Sequence, residues 1–136
     1  MKVWRRFVCA LSVAAVSAAL AVPALADGAQ WKRNDRGWWY EEANGAYPTD
    51  AWRLINGKWY YFDTEGAAGK MANGWRQLNG QWYFLDQTNG DMKTGWQNID
   101  GKWYFFNLED AGFPQGAMEK NTVKDGYVID ANGVRQ

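Results

Sequence analysis

Tryptophan is the residue type on which any chemistry of this chain rests. The 136 residues hold 10 Trp, 7 Tyr and 6 Phe, but no histidine and a single cysteine, Cys9. Trp31, Trp52, Trp75 and Trp96 follow one another at intervals of 21, 23 and 21 residues. Aromatic faces attract cations through their quadrupole, and a quaternary ammonium, which has no N–H to donate, is held by such faces at about 0.5–2 kcal/mol per contact. The C–H face of a sugar also stacks on tryptophan, so residue type alone leaves cation and glycan both open. The structural alternative is a hydrophobic core, since each large ring buries about 150–250 Å². Cores usually prefer Leu, Ile and Val, because a tryptophan N–H also needs a polar partner.

Catalysis finds no material here. Without histidine, and with its one cysteine in the leading segment, the chain lacks Ser-His-Asp and Cys-His chemistry and the common zinc ligand sets. Paired carboxylates are the remaining route. The recurring acids Asp63, Asp86 and Asp130 follow aromatic or aliphatic strand residues at a turn corner, where Asp caps backbone N–H groups. Glu41-Glu42 and Glu109-Asp110 read as solvated loop charge. The expectation is no enzyme, no catalytic residue, no metal ligand and no cofactor.

The elements that position the rings are repeats. WRLINGKWYYFD from Trp52, WRQLNGQWYFLD from Trp75 and WQNIDGKWYFFN from Trp96 can be written one under another. A divergent unit runs from Trp31 through Gly37-Trp38-Trp39-Tyr40, and a degenerate one from Val123 keeps Gly126-Tyr127-Val128-Ile129-Asp130. Degenerate end units suit a stacked array. Asn56-Gly57, Asn79-Gly80 and Asp100-Gly101 predict two-residue type I′ hairpin turns. Further turns are expected at Thr64-Glu65-Gly66, Thr88-Asn89-Gly90 and Asn132-Gly133. No window carries helical periodicity, so the fold class is all-β, a solenoid of stacked hairpins of about 20 residues.

The turn sets the register. With Asn56-Gly57 as the loop, Leu54 opposes Trp59, Arg53 opposes Tyr60 and Trp52 opposes Tyr61. Alternation then puts Trp52, Leu54, Trp59 and Tyr61 on one face, with Arg53, Ile55, Lys58, Tyr60 and Phe62 on the other. Trp52 and Trp59 become diagonal neighbours, as do Trp75 with Trp82 and Trp96 with Trp103. Tyr60, Tyr83 and Tyr104 face the opposite way. Stacking therefore brings two tryptophans of one unit against the tyrosine face of the next.

The first residues predict export. Lys2, Arg5 and Arg6 precede an apolar run from Phe7 to Val22, and Ala24-Leu25-Ala26 supplies a cleavage signature. These features describe a signal peptide over residues 1–26. The run is shorter than the ~20 residues of a spanning helix. Residues 27–136 are then the repeat array, with no transmembrane segment and no cysteine. Three of the 15 basic residues lie in the leader, which leaves a mildly acidic array and argues against nucleic acid as partner. The expected location is secreted, at the cell wall or cell surface.

GWRQLNGQWYFLDQTNGDMKTGW, residues 74–96, resembles the choline-binding or cell-wall-binding repeat of Gram-positive surface proteins, and GWWYEEANGAYPTDAW, residues 37–52, resembles the opening unit of such arrays. The resemblance implies a hairpin solenoid that attaches to choline on teichoic acids, with each site built from two tryptophans of one repeat and a tyrosine of the next. Carried over, the sites are Trp52 and Trp59 with Tyr83, Trp75 and Trp82 with Tyr104, Trp96 and Trp103 with Tyr127, and Trp31 and Trp39 with Tyr60. Met71 or Met92 is implied as a lining residue. Residues 108–122 form a longer connection than in the other units, so the last junction is expected to close less well. Related repeats bind glucan or host carbohydrate. A cell-envelope or extracellular glycan is therefore the alternative ligand, and a purely structural spacer the alternative role.

Overall fold

The computed structural model describes residues 28–64, 69–110 and 114–136. The expected signal peptide lies outside the described residues, as do Glu65 and Gly66 of one expected turn. The chain divides into two compact units, one ending at Ala72 and the other beginning at Asn73. Each consists of short antiparallel hairpins, and no helix occurs among the described residues.

In the first unit, β1 (Gln30–Asn34) pairs with β2 (Gly37–Glu41). β3 (Ala51–Ile55) and β4 (Lys58–Asp63) form the next hairpin, and β5 (Lys70–Met71) returns to pair along β4. In the second unit the hairpins are β6 (Gly74–Leu78) with β7 (Gln81–Leu85), β8 (Gly95–Ile99) with β9 (Lys102–Phe106), and β10 (Thr122–Lys124) with β11 (Tyr127–Ile129). The all-β class and the hairpin repeat expected from the sequence are present, and each unit is a stretch of β-solenoid.

Local chemistry explains these elements. Asn56 and Gly57 have φ of 54° and 80°, and Asn79-Gly80, Asp100-Gly101 and Asp125-Gly126 repeat the pattern. Two consecutive positive φ values define the type I′ turn, whose twist matches the strands it joins. The last of these pairs gives the degenerate end unit the same hairpin geometry as the others. The register follows as expected: Trp52 opposes Tyr61, Arg53 opposes Tyr60, and Leu54 opposes Trp59.

One position is buried in the second strand of each of the last four hairpins. Phe62, Leu85, Phe106 and Ile129 occupy that position, and all are essentially inaccessible. Burying each is worth about 1.5–3 kcal/mol. In the first unit Phe62 packs with Tyr40, Leu54, Ile55 and Met71. In the second, Phe106 packs with Phe84, Ile99 and Met118. The tryptophan face of one hairpin thus meets the tyrosine face of the next.

The acids have structural roles. Asp86 Oδ1 accepts hydrogen bonds from the backbone N–H groups of Thr88 and Asn89 at 2.9 and 2.8 Å. Asp130 Oδ1 does the same for Asn132 and Val134. Glu41 and Glu42 are not solvated loop charge: Glu41 ends β2 and pairs with Lys32 at 2.6 Å, and Glu42 pairs with Arg53 at 2.9 Å. Asp110 likewise accepts from the backbone N–H of Gln115.

The hydrogen bonds from Asn89 and Thr88, with a smaller contribution from Lys93, hold the Asp86 carboxyl below its ordinary pKa against a modest opposing effect of burial. A pKa lower in the folded than in the unfolded chain contributes stability above the unfolded value, and that contribution is lost as pH falls through the folded value. Asp86→Asn keeps an acceptor oxygen but cannot titrate. The Tm difference between wild type and this variant is expected to shrink as pH falls from ~5 to ~2. A constant difference in a thermal-melt series would contradict the assignment.

Candidate functional site

The hairpins position paired tryptophans as right-angled corners. Trp52 and Trp59 meet with ring centroids 6.5 Å apart and planes at 87°. Trp75 and Trp82 repeat this at 6.1 Å and 83°. Cross-strand diagonal placement brings the rings within reach, and the edge-to-face geometry is the one that aromatic quadrupoles favour.

A tyrosine of the next hairpin completes the corner. In the second unit, Tyr104 stands 4.9 Å from Trp75 at 74°, with Phe106 behind it at 5.7 Å. In the first unit, Tyr60 stands 5.0 Å from Trp31 at 69°, with Phe62 at 5.8 Å. These two arrangements match ring for ring.

One residue of the expected first site is corrected. Trp31 pairs with Trp38, at 6.4 Å and 86°, and not with Trp39. The β1–β2 turn leaves Asn34 opposite Gly37, Arg33 opposite Trp38 and Trp31 opposite Tyr40. Alternation then puts Trp31 and Trp38 on one face and Trp39 on the other. Writing Trp38-Trp39-Tyr40 under Trp59-Tyr60-Tyr61 shows the same thing, because Trp39 falls at the tyrosine position.

The last corner is built differently, with an arginine among its rings. Trp96 and Tyr127 meet at 5.9 Å and 82°. The Arg135 guanidinium lies 4.1 Å from the Tyr127 centroid, 5.3 Å from Trp103 and 5.6 Å from Trp96. The Trp96 Nε1–H donates to Asp125 Oδ2 at 2.8 Å, which supplies the polar partner the indole needs. Of the expected group Trp52, Trp59 and Tyr83, the tryptophans lie in the first unit and Tyr83 in the second. Tyr83 is buried, and burial, with the Asp110 charge, pushes its phenol above the ordinary tyrosine range.

Both nominated methionines sit on return segments. Met71 in β5 pairs with Phe62 and belongs to the first unit's core, beside Trp31 and Tyr60. Met92 bridges to Leu85. Sequence reasoning missed their counterpart Met118, which bridges to Phe106 and packs beside Trp75 and Tyr104. Its backbone N–H donates to the Trp82 carbonyl at 2.8 Å, tying the return segment to the preceding hairpin.

Exposure separates these rings from a simple core. Trp38 is 40% exposed, and Trp82 and Trp103 are 37% exposed, although each has a partner ring or cation against it. Full burial falls to Phe62, Leu85, Phe106 and Ile129 instead. One tryptophan at each of these three corners therefore faces solvent.

Comparison with known proteins agrees with this geometry. Residues 49–94 match the family described as choline-binding repeat, and residues 94–107 match the putative cell wall binding repeat. The choline-binding domain of Spr1274 from Streptococcus pneumoniae is 40% identical, over 65% of this chain and 96% of that one, with a TM-score of 0.53. The pneumococcal cell wall endolysin of phage Cp-1, solved with choline, is 35% identical over 72% of this chain, with a TM-score of 0.59. The lysin of Pneumococcus phage Dp-1 is 45% identical over 38 residues, 26% of this chain. The chain spans 26% of the endolysin and 13% of the lysin. It belongs to the family of choline-binding, cell-wall-binding repeat proteins.

The division between exposed corner and buried core is testable by substitution. Phe106→Ala should cost about 3–5 kcal/mol, the range for emptying a large buried site. Trp82→Ala, at a solvent-facing ring, should cost less than half as much. Chemical denaturation of both variants decides it, and equal losses would make Trp82 a core residue.

Proposed function

We propose that this chain is a non-catalytic binding module that attaches to choline-bearing teichoic acid at the cell surface through the aromatic corners between its hairpins. The ligand residues are Trp31, Trp38 and Tyr60 in the first unit, and Trp75, Trp82 and Tyr104 in the second. Export by the leading segment, residues 1–26, would deliver it there.

One observation carries the choice of a cation over a sugar. The corner built from Trp96, Trp103 and Tyr127 holds a cation, the Arg135 guanidinium, within about 6 Å of all three ring centroids. The corner at Trp75, Trp82 and Tyr104 repeats two of those ring positions and the tyrosine, and its return segment brings the uncharged Met118. A trimethylammonium group suits such a surface, because its methyls contact ring faces while its charge meets the quadrupole. The absence of histidine, and of cysteine beyond Cys9, supports binding without catalysis. Several weak sites on one chain would act together through effective concentration on a polymer that presents many choline groups.

Retention on an immobilised tertiary-amine matrix, with elution by free choline, tests this reading. Tryptophan fluorescence titrated in parallel with choline and dextran should respond to choline. A response to dextran alone would favour a glycan ligand, and no response to either would leave a structural spacer. Tyr104→Ala should weaken choline binding at the Trp75–Trp82 corner by roughly five- to thirty-fold, for one lost contact of about 1–2 kcal/mol.

A further inference from the structure

We infer that Arg135 is a built-in ligand which closes the Trp96–Trp103–Tyr127 corner to external quaternary ammonium, a conclusion that rests on the choline reading above.

Four return segments meet the fully buried residue of a second strand: Met71 at Phe62, Met92 at Leu85, Met118 at Phe106, and Arg135 at Ile129. Three of these residues are methionines, and the fourth is arginine. The substitution is at an equivalent place in the backbone as well. Met118 N–H donates to the Trp82 carbonyl at 2.8 Å, and Arg135 N–H donates to the Trp103 carbonyl at 2.9 Å. Arginine therefore enters a corner whose counterpart receives an uncharged thioether.

The neighbouring residues hold it there. Gln136 N–H donates to the Val128 carbonyl at 2.8 Å, and the Gln136 side-chain amide donates to Asp130 Oδ2 at 2.9 Å. These bonds fix the backbone on the C-terminal side of Arg135. The side chain is half-buried, and its guanidinium faces the three rings that would otherwise face a ligand. A planar guanidinium stacks well on aromatic faces and stays charged at any working pH. Tethered in this way, it competes at an effective concentration that free ligand reaches only in the millimolar range. The rings at this junction thus already hold a cation.

Calorimetric titration of the full chain with choline chloride tests this against Arg135→Met, which restores the residue of the other return segments, and Arg135→Ala. Near-UV circular dichroism matching wild type shows that the variants keep their ring packing. Both variants should bind one more choline equivalent than wild type. In ligand-free wild type, the Arg135 side-chain δ protons should show an upfield ring-current shift by NMR. Equal numbers of equivalents in wild type and variants, with wild type binding, would overturn the inference and leave the choline reading intact. Weaker binding in the variants would also overturn it, since Arg135 would then be helping to hold the ligand. If neither wild type nor variants bind choline, the choline reading falls and this inference falls with it.

Discussion

An isolated two-stranded hairpin buries too little surface to hold its shape in water, and none of the hairpins in this chain has a disulfide to help it. What makes them possible is the contact between the leading tryptophan of one hairpin and the second strand of the next. Trp31 meets Tyr60 and Phe62, and Trp75 meets Tyr104 and Phe106, at centroid distances of 4.9 to 5.8 Å. One ring does two jobs in each case. Its contact with the phenylalanine extends the core, and its contact with the tyrosine shapes the wall of the open corner. The core and the aromatic corner therefore depend on the same stacking step.

This coupling explains why the two tryptophans of a pair differ. Trp31 and Trp75 are half-buried against the next hairpin, whereas Trp38 and Trp82 are exposed. Trp82 and Trp103 are exposed while Phe84 and Phe105, two residues further along their strands, are buried. The exposed tryptophans contribute least to the core.

Much of this was legible in the sequence because the turns are explicit. An Asn-Gly or Asp-Gly pair fixes a two-residue loop, the loop fixes the register, and the register assigns every ring to a face. Where that signal is missing no register follows: Asp35-Arg36 carries no such pair, and the resemblance alone named Trp39 where the register gives Trp38. The return segments were less legible for another reason. Met71, Met92, Met118 and Arg135 reach equivalent bridges after connections of different length, so no constant spacing marks them. The role of Arg135 is visible only once the bridge at Ile129 and the bond to Trp103 are known.

Those bridges also bear on how such a chain changes over evolutionary time. Each connection is pinned at both ends, by the buried strand residue where it leaves and by the return bridge where it arrives. Between the pins its length matters little to the ring geometry, and the entropy of a longer loop grows only slowly with length. The connection ending at Met118 is longer than the one ending at Met92, yet both return segments bridge to the same strand position. Insertions and deletions can accumulate there without shifting the bridge. The connections are thus free to diversify, and new surface can be added to the array while its aromatic spacing stays fixed.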